Sequence, residues 1–512
     1  MNIKFNRKEL FIVLALCAVA GLVAQYISFT DEYVLAYRDS IYRLDASRRF
    51  LDALQPGFFN QLGTVWLPLP NIIMFPLVSI DILWKTGLAG SIVNFIAYIF
   101  NCLAIFYILK LITKNKFAQY AGLILFISNP NILYFQTTAM SEQLYLTFFT
   151  VAIYYILKWD ETNFTKYIWY SGIFTAMASC TRYDGWTFAI AAGLIIFFTS
   201  FISNGKPFRI TFYYIFPTAF IIIWWLIHNY IYYADALEFL RGQFSTAYQL
   251  KYYESAGRLL TKHNFGLSTK VYYYDLYLYS GFLTLILSVP GLIFYFLKNK
   301  FNIKTFIVYL SLIAIPSTFL FLYFGQIIIE LPQSFPTGYF NSRYGLYAIP
   351  GLVIFAGYFC DIIVENYKKY KKYVYAISIL LLIIQIYVYQ YEYPTKVPAI
   401  AEARYAGYKG TITYNLSKYL EANYDGGNLL FDTRIFALPP WSGVNLKERI
   451  TFHTYEIGKK ALENPVPYAK WVMFYTNSTD DIIYNSLNKN NNFRENYILV
   501  YSEDGLELYK RK

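Results

Sequence analysis

The feature that most constrains this chain is the recurrence of apolar stretches of near-bilayer length from residue 9 to residue 391. A hydrocarbon core about 30 Å thick takes roughly 20 helical residues to cross. Backbone in lipid must satisfy its own hydrogen bonds, so such stretches read as helices. The pattern predicts about eleven crossings, at 9–28, 88–110, 117–135, 142–158, 168–181, 185–203, 210–230, 276–297, 304–327, 345–365 and 373–391. A further apolar piece, 67–84, is short and holds Pro68, Pro70 and Pro76, with Asp81 and Lys85 closing it. It reads as a re-entrant or broken helix packed on protein. Composition agrees: 57% of the 512 residues are hydrophobic and 15% charged, against roughly 25% charged in soluble domains. The stretch after Lys4, Arg7 and Lys8 lacks a small-residue cleavage site before a folded domain, so it reads as the first span rather than a signal peptide.

The net charge of +12 does not point to nucleic acid, because most Lys and Arg lie in short loops between spans rather than in one soluble stripe. With the N-terminus placed in the cytoplasm, the cytoplasmic loops are 110–116, 158–166, 203–209, 298–304 and 367–373, and all five are basic. That is the positive-inside pattern. It leaves residues 393–512 outside. Their apolar runs are short, at Leu429–Phe431, Trp471–Tyr475 and Tyr497–Tyr501. The last leads through Asp504-Gly505 into Leu506–Tyr509, which reads as a hairpin, and helical patterns occupy 415–423 and 480–488. The fold class is therefore a polytopic α-helical membrane protein with a small soluble α/β domain. The expected domains are 1–392 in the membrane and 393–512 outside, with external loops at 29–68 and 231–275. Cys17, Cys102, Cys180 and Cys360 are scattered through apolar segments with no metal-ligand spacing and read as small buried side chains.

The spans are nearly free of ionisable groups; His228 is the exception, near a span end. A charge at mid-bilayer costs at least about 2.5–3.5 kcal/mol and marks an ion path where present. The remaining charges gather at one level, the outer boundary. Loop 29–68 holds Asp31, Glu32, Arg38, Asp39, Arg43, Asp45, Arg48, Arg49 and Asp52. Ser141-Glu142 opens one span, Arg182-Tyr183-Asp184 forms an outer turn, and Arg343-Tyr344 opens the penultimate span. Loop 231–275 carries Arg241, Lys251, Arg258, Lys262 and His263 among many tyrosines. It fits a gate over a ligand and fits equally an amphipathic interfacial segment. Arg and Tyr at headgroup level also serve as anchors, but five segments converging on one plane point to a site on a rigid scaffold.

These residues resemble a known family. Asp39-Ser-Ile-Tyr-Arg-Leu-Asp-Ala-Ser-Arg48, then Pro56-Gly57, Gln61-Leu62-Gly63 and Trp66-Leu-Pro-Leu-Pro70, is similar to the first external loop of GT-C glycosyltransferases. More narrowly it resembles the protein O-mannosyltransferase and lipid A aminoarabinose transferase group, glycosyltransferase family 39-like. Ser141–Tyr145, Thr181–Gly185 and Asn341–Tyr344 with Ile349-Pro350 resemble later motifs of that group, in order. The resemblance covers residues 1–391. One departure stands out: the family's acidic pair is Asp39-Ser40 here, so a second acid must come from Asp45, Asp31 or Glu32, or be absent. No metal is therefore assigned, and a divalent ion is left open.

The resemblance implies transfer of a sugar from a polyprenyl-phosphate donor to a glycan, lipid or protein acceptor on the external face of a prokaryotic membrane, with inversion. It implies Asp39 as the base and Arg343, Arg182, Arg258 and Lys262 as candidates for the donor phosphate. Asp45, Arg48, Glu142, Asp184 and Tyr344 are supporting or acceptor-side candidates, and Glu142 and Asp184 also suit ion pairs with Arg182 that hold the outer turns. The rivals are a lipid or oligosaccharide transporter, an oligosaccharyltransferase or ligase of the same plan, and a sensor. A transporter predicts an intramembrane polar path and an internal repeat, and the sequence has neither. Pro439-Pro440-Trp441-Ser442-Gly443 is not the WWDYG signature of oligosaccharyltransferases.

Overall fold

The computed structural model describes residues 7–203, 205–334, 337–391, 397–405, 411–451 and 455–512. Lys4 and the expected domain boundary at 392–393 lie outside the described residues. Among those described, seven helices are long and apolar enough to cross a bilayer: Arg7–Thr30, Leu88–Ile112, Asp184–Ile202, Pro207–Tyr233, Phe282–Asn299, Ser342–Asn366 and Lys368–Tyr389. Ile303–Leu312 and Ala314–Tyr323 make an eighth if taken as one span bent by 51°. The other three expected crossings are helical but shorter, broken or more polar. Segment 117–135 divides into Lys116–Ile127 and Pro130–Phe135, because Asn129 accepts from the Asn131 and Ile132 amides and Pro130 starts a new helix. Segment 142–158 lies within Glu142–Thr162, which ends on Lys158, Asp160 and Glu161, and segment 168–181 lies mostly within the 15-residue helix Thr165–Ser179. The proline-rich piece forms two short helices, Leu69–Val78 and Asp81–Thr86.

The described chain divides into two units. The first comprises Met1–Ser28, Thr64–Pro70 and Asn94–Glu402. Its central helix is Ser342–Asn366, whose apolar window is 83% buried, against 11% for Lys368–Tyr389 and 17% for Arg7–Thr30 at the periphery. Small residues let the helices approach. A Cβ on Gly291 would lie 2.0 Å from the Phe355 carbonyl oxygen, and one on Gly172 would lie 2.5 Å from that of Tyr214. Large apolar side chains such as Phe11, Ile202 and Phe208 are exposed on the outside of these helices, which water would penalise and lipid does not. The four cysteines are buried and unbridged.

The second unit comprises Phe29–Gly63, Asn71–Val93 and Ala403–Lys512. Its sheet has strands β1 (Leu429–Leu430), β2 (Arg449–Ile450), β3 (Trp471–Tyr475), β4 (Tyr497–Glu503) and β5 (Leu506–Arg511), in the order β2-β1-β3-β5-β4. The first three are parallel; β5 pairs antiparallel with β3 and β4. The β4–β5 turn is Asp504-Gly505, both at positive φ (46° and 86°), as a tight right-twisting hairpin requires. Strand alternation builds two cores. Leu429, Trp471, Met473, Leu506 and Leu508 pack on one face with Leu416 and Leu420 of helix Ile412–Asn423. Leu430, Val472 and Phe474 pack on the other with Ile483, Leu487 and Phe493.

Candidate active site

In the first unit, three segments distant in sequence meet. Ser141 and Glu142 open the helix Glu142–Thr162, Arg182 lies in the turn before Asp184–Ser203, and Arg343 lies in the 3-10 helix Ser342–Ala348. Arg182 Nη1 donates to Glu142 Oε1 at 2.9 Å and to Ser141 Oγ at 3.4 Å, and its Nε donates to Asp184 Oδ2 at 3.0 Å. Its guanidinium lies over the Tyr347 ring, 4.9 Å from the centroid, and 6.0 Å from that of Tyr344. Arg343 Nε approaches the same Glu142 oxygen at 3.4 Å. Glu142 is 1% exposed. Burial alone would lower the Arg182 pKa, but Tyr347, Asp184 and Glu142 raise it instead, so the guanidinium stays charged. The turn itself is braced by Tyr183, whose hydroxyl donates to the Val65 carbonyl at 3.0 Å.

Arg343 is presented by a turn that the sequence reading did not anticipate. Asn341 takes a left-handed conformation, φ 52°. The Glu402 carboxylate accepts from the amides of Asn341 (3.1 Å) and Ser342 (2.9 Å) and from the Ser342 hydroxyl (2.5 Å). Tyr279 and Ser342 share a hydroxyl hydrogen bond of 3.0 Å. Asp275 is fully buried beside this turn; a Cβ on Gly345 would lie 2.7 Å from the Asp275 carbonyl oxygen. Burial, and then the Glu402 charge, push the Asp275 carboxyl well up. Sequence reading placed Glu402 in the soluble domain and passed over Asp275. The only signals were a lone acid after Tyr272-Tyr273-Tyr274 and a Glu soon after the last span.

Loop 231–275 forms helices Glu238–Arg241 and Thr246–Ser255. Arg258 Nη2 donates to both Glu330 oxygens, at 2.6 and 2.7 Å, and its guanidinium lies 4.9 Å from the Tyr253 ring centroid. Lys262 pairs with Glu254 at 2.6 Å. Glu142, Arg182, Asp184 and Arg343 thus share one point, while Arg258 and Lys262 have carboxylate partners of their own.

In the second unit, Asp39 sits in the first turn of helix Arg38–Arg48, half-buried, where the helix dipole favours a carboxylate. Tyr42, Asp45 and Arg48 on this helix are engaged locally. The Tyr42 hydroxyl donates to the Thr433 carbonyl at 2.6 Å. Asp45 Oδ2 accepts from Arg449 Nη1 at 2.8 Å, and its Oδ1 accepts from Trp84 Nε1 at 3.3 Å. Burial pushes the Asp45 carboxyl up against the pull of Arg449. Arg48 donates to the Val78 carbonyl at 2.7 Å and to Asp81 at 2.6 Å, and stacks on Trp84. Of the acids considered as a second site carboxylate, Asp45 is held by Arg449 and Glu32 accepts from the Tyr414 hydroxyl at 2.7 Å. Among the described residues no three His, Cys, Asp or Glu side chains gather to hold a metal ion.

The fold is of the GT-C type, and the chain is an integral, multi-pass membrane protein. Among solved structures it is similar to ArnT from Cupriavidus metallidurans bound to undecaprenyl phosphate, with a TM-score of 0.59 and 12% identity over 97% of each chain. It is also similar to the oligosaccharyltransferase of Archaeoglobus fulgidus in the apo form, with a TM-score of 0.52 and 12% identity over 91% of this chain and 69% of that one. The same archaeal enzyme, AglB, in complex with an inhibitory peptide and a dolichol-phosphate gives 0.51 at 11% identity. No protein-family model matches the sequence, and neither does any curated protein sequence.

Proposed function

We propose that the protein is a membrane glycosyltransferase that moves a sugar from a polyprenyl-phosphate-linked donor to an acceptor hydroxyl on the extracytoplasmic face, inverting the anomeric centre. The observation that carries this reading is the likeness to ArnT along nearly the whole of both chains, in a structure that holds undecaprenyl phosphate. The oligosaccharyltransferase likeness covers less of its partner and scores lower, so transfer of a small sugar is favoured over that of a preassembled glycan. The five basic loops favour a cytoplasmic N-terminus, and the likeness to proteins of Cupriavidus metallidurans and Archaeoglobus fulgidus favours a prokaryotic cell membrane.

In this mechanism the acceptor oxygen attacks the anomeric carbon as the bond from that carbon to the phosphate oxygen breaks. The hydroxyl proton passes to the Asp39 carboxylate, and the polyprenyl phosphate leaves with the electron pair. A positioned base contributes typically about 10²–10⁴-fold. Arg343 is the favoured phosphate ligand. Its ion pair with Glu142, at 3.4 Å, is longer than those of Arg182 at 2.9 and 3.0 Å, and a planar fork suits phosphate oxygens. Arg182 holds Glu142 and Asp184 and supports it.

The test is turnover of purified protein with lipid-linked sugars from a cell-membrane extract. Asp39→Asn is expected to lower kcat by about 10²-fold or more while the lipid still binds. Wild-type turnover in that variant removes Asp39 as the base. Failure of every polyprenyl-phosphate lipid to bind the wild-type protein removes the donor class.

A further inference from the structure

The helix that carries Asp39 is bolted along one face to the fold of residues 403–512. Arg38, Tyr42 and Asp45 succeed one another at spacings of four and three, so they share one side of the helix. Arg38 Nη2 donates to the carbonyls of Arg434 (3.1 Å) and Ile435 (2.5 Å), and Tyr42 donates to that of Thr433. One turn further on, Asp45 meets Arg449, the first residue of β2. Every arm of the Arg449 guanidinium is occupied. Nη1 also donates to the Leu438 carbonyl at 3.1 Å, and Nε and Nη2 donate to that of Val444 at 3.2 and 3.0 Å. The side chain is 6% exposed and Asp45 is 9% exposed. Trp84 closes the other side of the carboxylate, and Arg48 stacks on that indole. Four of the five Arg449 N–H groups are thus committed to the protein, and the side chain is buried away from any substrate. What it does have is geometric leverage, because it fixes the rotation and height of the helix whose first turn carries Asp39.

We propose that Arg449 is a positioning residue for Asp39, acting through Asp45 to lock the helix Arg38–Arg48. The proposal rests on the reading of Asp39 as the base. Tyr42 and Arg38 add a second and third point of attachment, and three points on one face fix a helix against both rolling and sliding. Loss of the lock displaces the carboxylate from the acceptor hydroxyl without touching the residues assigned to the donor phosphate. The chemical step should therefore suffer and donor affinity should not.

The test uses full-length protein in nanodiscs and two readouts. The first is hydrogen–deuterium exchange across residues 38–48, which needs no substrate. Arg449→Met should speed exchange there at least tenfold and leave the helix Ser342–Asn366 unchanged. Tyr42→Phe, a milder change, should do the same to a smaller degree, and serves if Arg449→Met fails to fold. The second is kinetic. kcat should fall by about 10²-fold, the loss expected for roughly 1 Å of misplacement, with KM for the lipid donor within twofold, and Arg449→Lys should recover part of it. Unchanged exchange over 38–48 in both variants overturns the lock. Faster exchange with unchanged kcat overturns the positioning role. If Asp39→Asn is also fully active, it is the assignment of the base that has failed, and the exchange result still decides whether Arg449 holds the helix.

Discussion

Two buried arginines, Arg182 in the first unit and Arg449 in the second, show how differently the same chemistry is used. Arg182 meets two carboxylates, and one of these, Glu142, is shared with a second arginine, Arg343. Two acids and two bases balance there, under two tyrosine rings. Under the proposed function, an arriving phosphate would compete with Glu142 for Arg343 and leave Glu142 to Arg182. Arg449 meets one carboxylate and two backbone carbonyls. That arrangement is buried and commits four of the five guanidinium N–H groups within the fold. A buried ion pair is thus not evidence of a reactive site in itself; what matters is whether its charges have somewhere else to go.

The largest expected effect comes from breaking the first arginine. Arg182→Met leaves Asp184 without its cation and Glu142 with only its 3.4 Å contact to Arg343, and should cost about 3–5 kcal/mol of stability, measured by thermal unfolding in detergent against the wild type. Arg449→Met strands a single carboxylate and should cost less. If the order is reversed, the contrast between the two nodes is wrong. A smaller effect sharpens the account of Arg343. Glu402→Gln keeps the shape but removes the charge that gathers two amides and a hydroxyl. It should cost roughly 1.5–3 kcal/mol and lower turnover, because Arg343 is presented by that turn. Stability and turnover both at wild-type levels would show that the turn holds without the carboxylate. The smallest effect concerns an exposed pair of contacts. Lys510 and Lys470 hold the Asp425 carboxyl at about 2, below its ordinary 3.8. Its folded value lies below its unfolded one, so its contribution is present above pH 3.8 and is lost as the pH falls through about 2. A carboxyl carbon NMR titration of Asp425 should show the low midpoint, and a midpoint near 3.8 would remove the interaction.

Much of the membrane unit was legible because lipid imposes a length and a hydropathy that can be read locally. Arg182-Tyr183-Asp184 could be read for the same reason, since a tight turn between spans brings neighbours in sequence together. The hairpin at Asp504-Gly505 was legible from its turn chemistry. β2 was not. It is two residues long, and its arginine looks like any charged surface residue until its partner, 404 positions earlier, is known. The same blindness hid Glu402, whose function is to hold the backbone of residues 341–342. Contacts set by sequence-distant partners leave no period and no motif. The bend between Ile303–Leu312 and Ala314–Tyr323 likewise left no mark in hydropathy, because both halves are apolar.

The partnership of Asp45 with Arg449 also sets an order of events during synthesis. The carboxylate at Asp45 leaves the ribosome 404 residues before its cation, Arg449. Until then the carboxylate has no dry place to go and must stay wet or protonated. A chain broken off before residue 449 keeps the helix that carries Asp45 unmoored. Synthesis of residue 449, rather than of the first loop, is what moors the helix Arg38–Arg48 at Asp45.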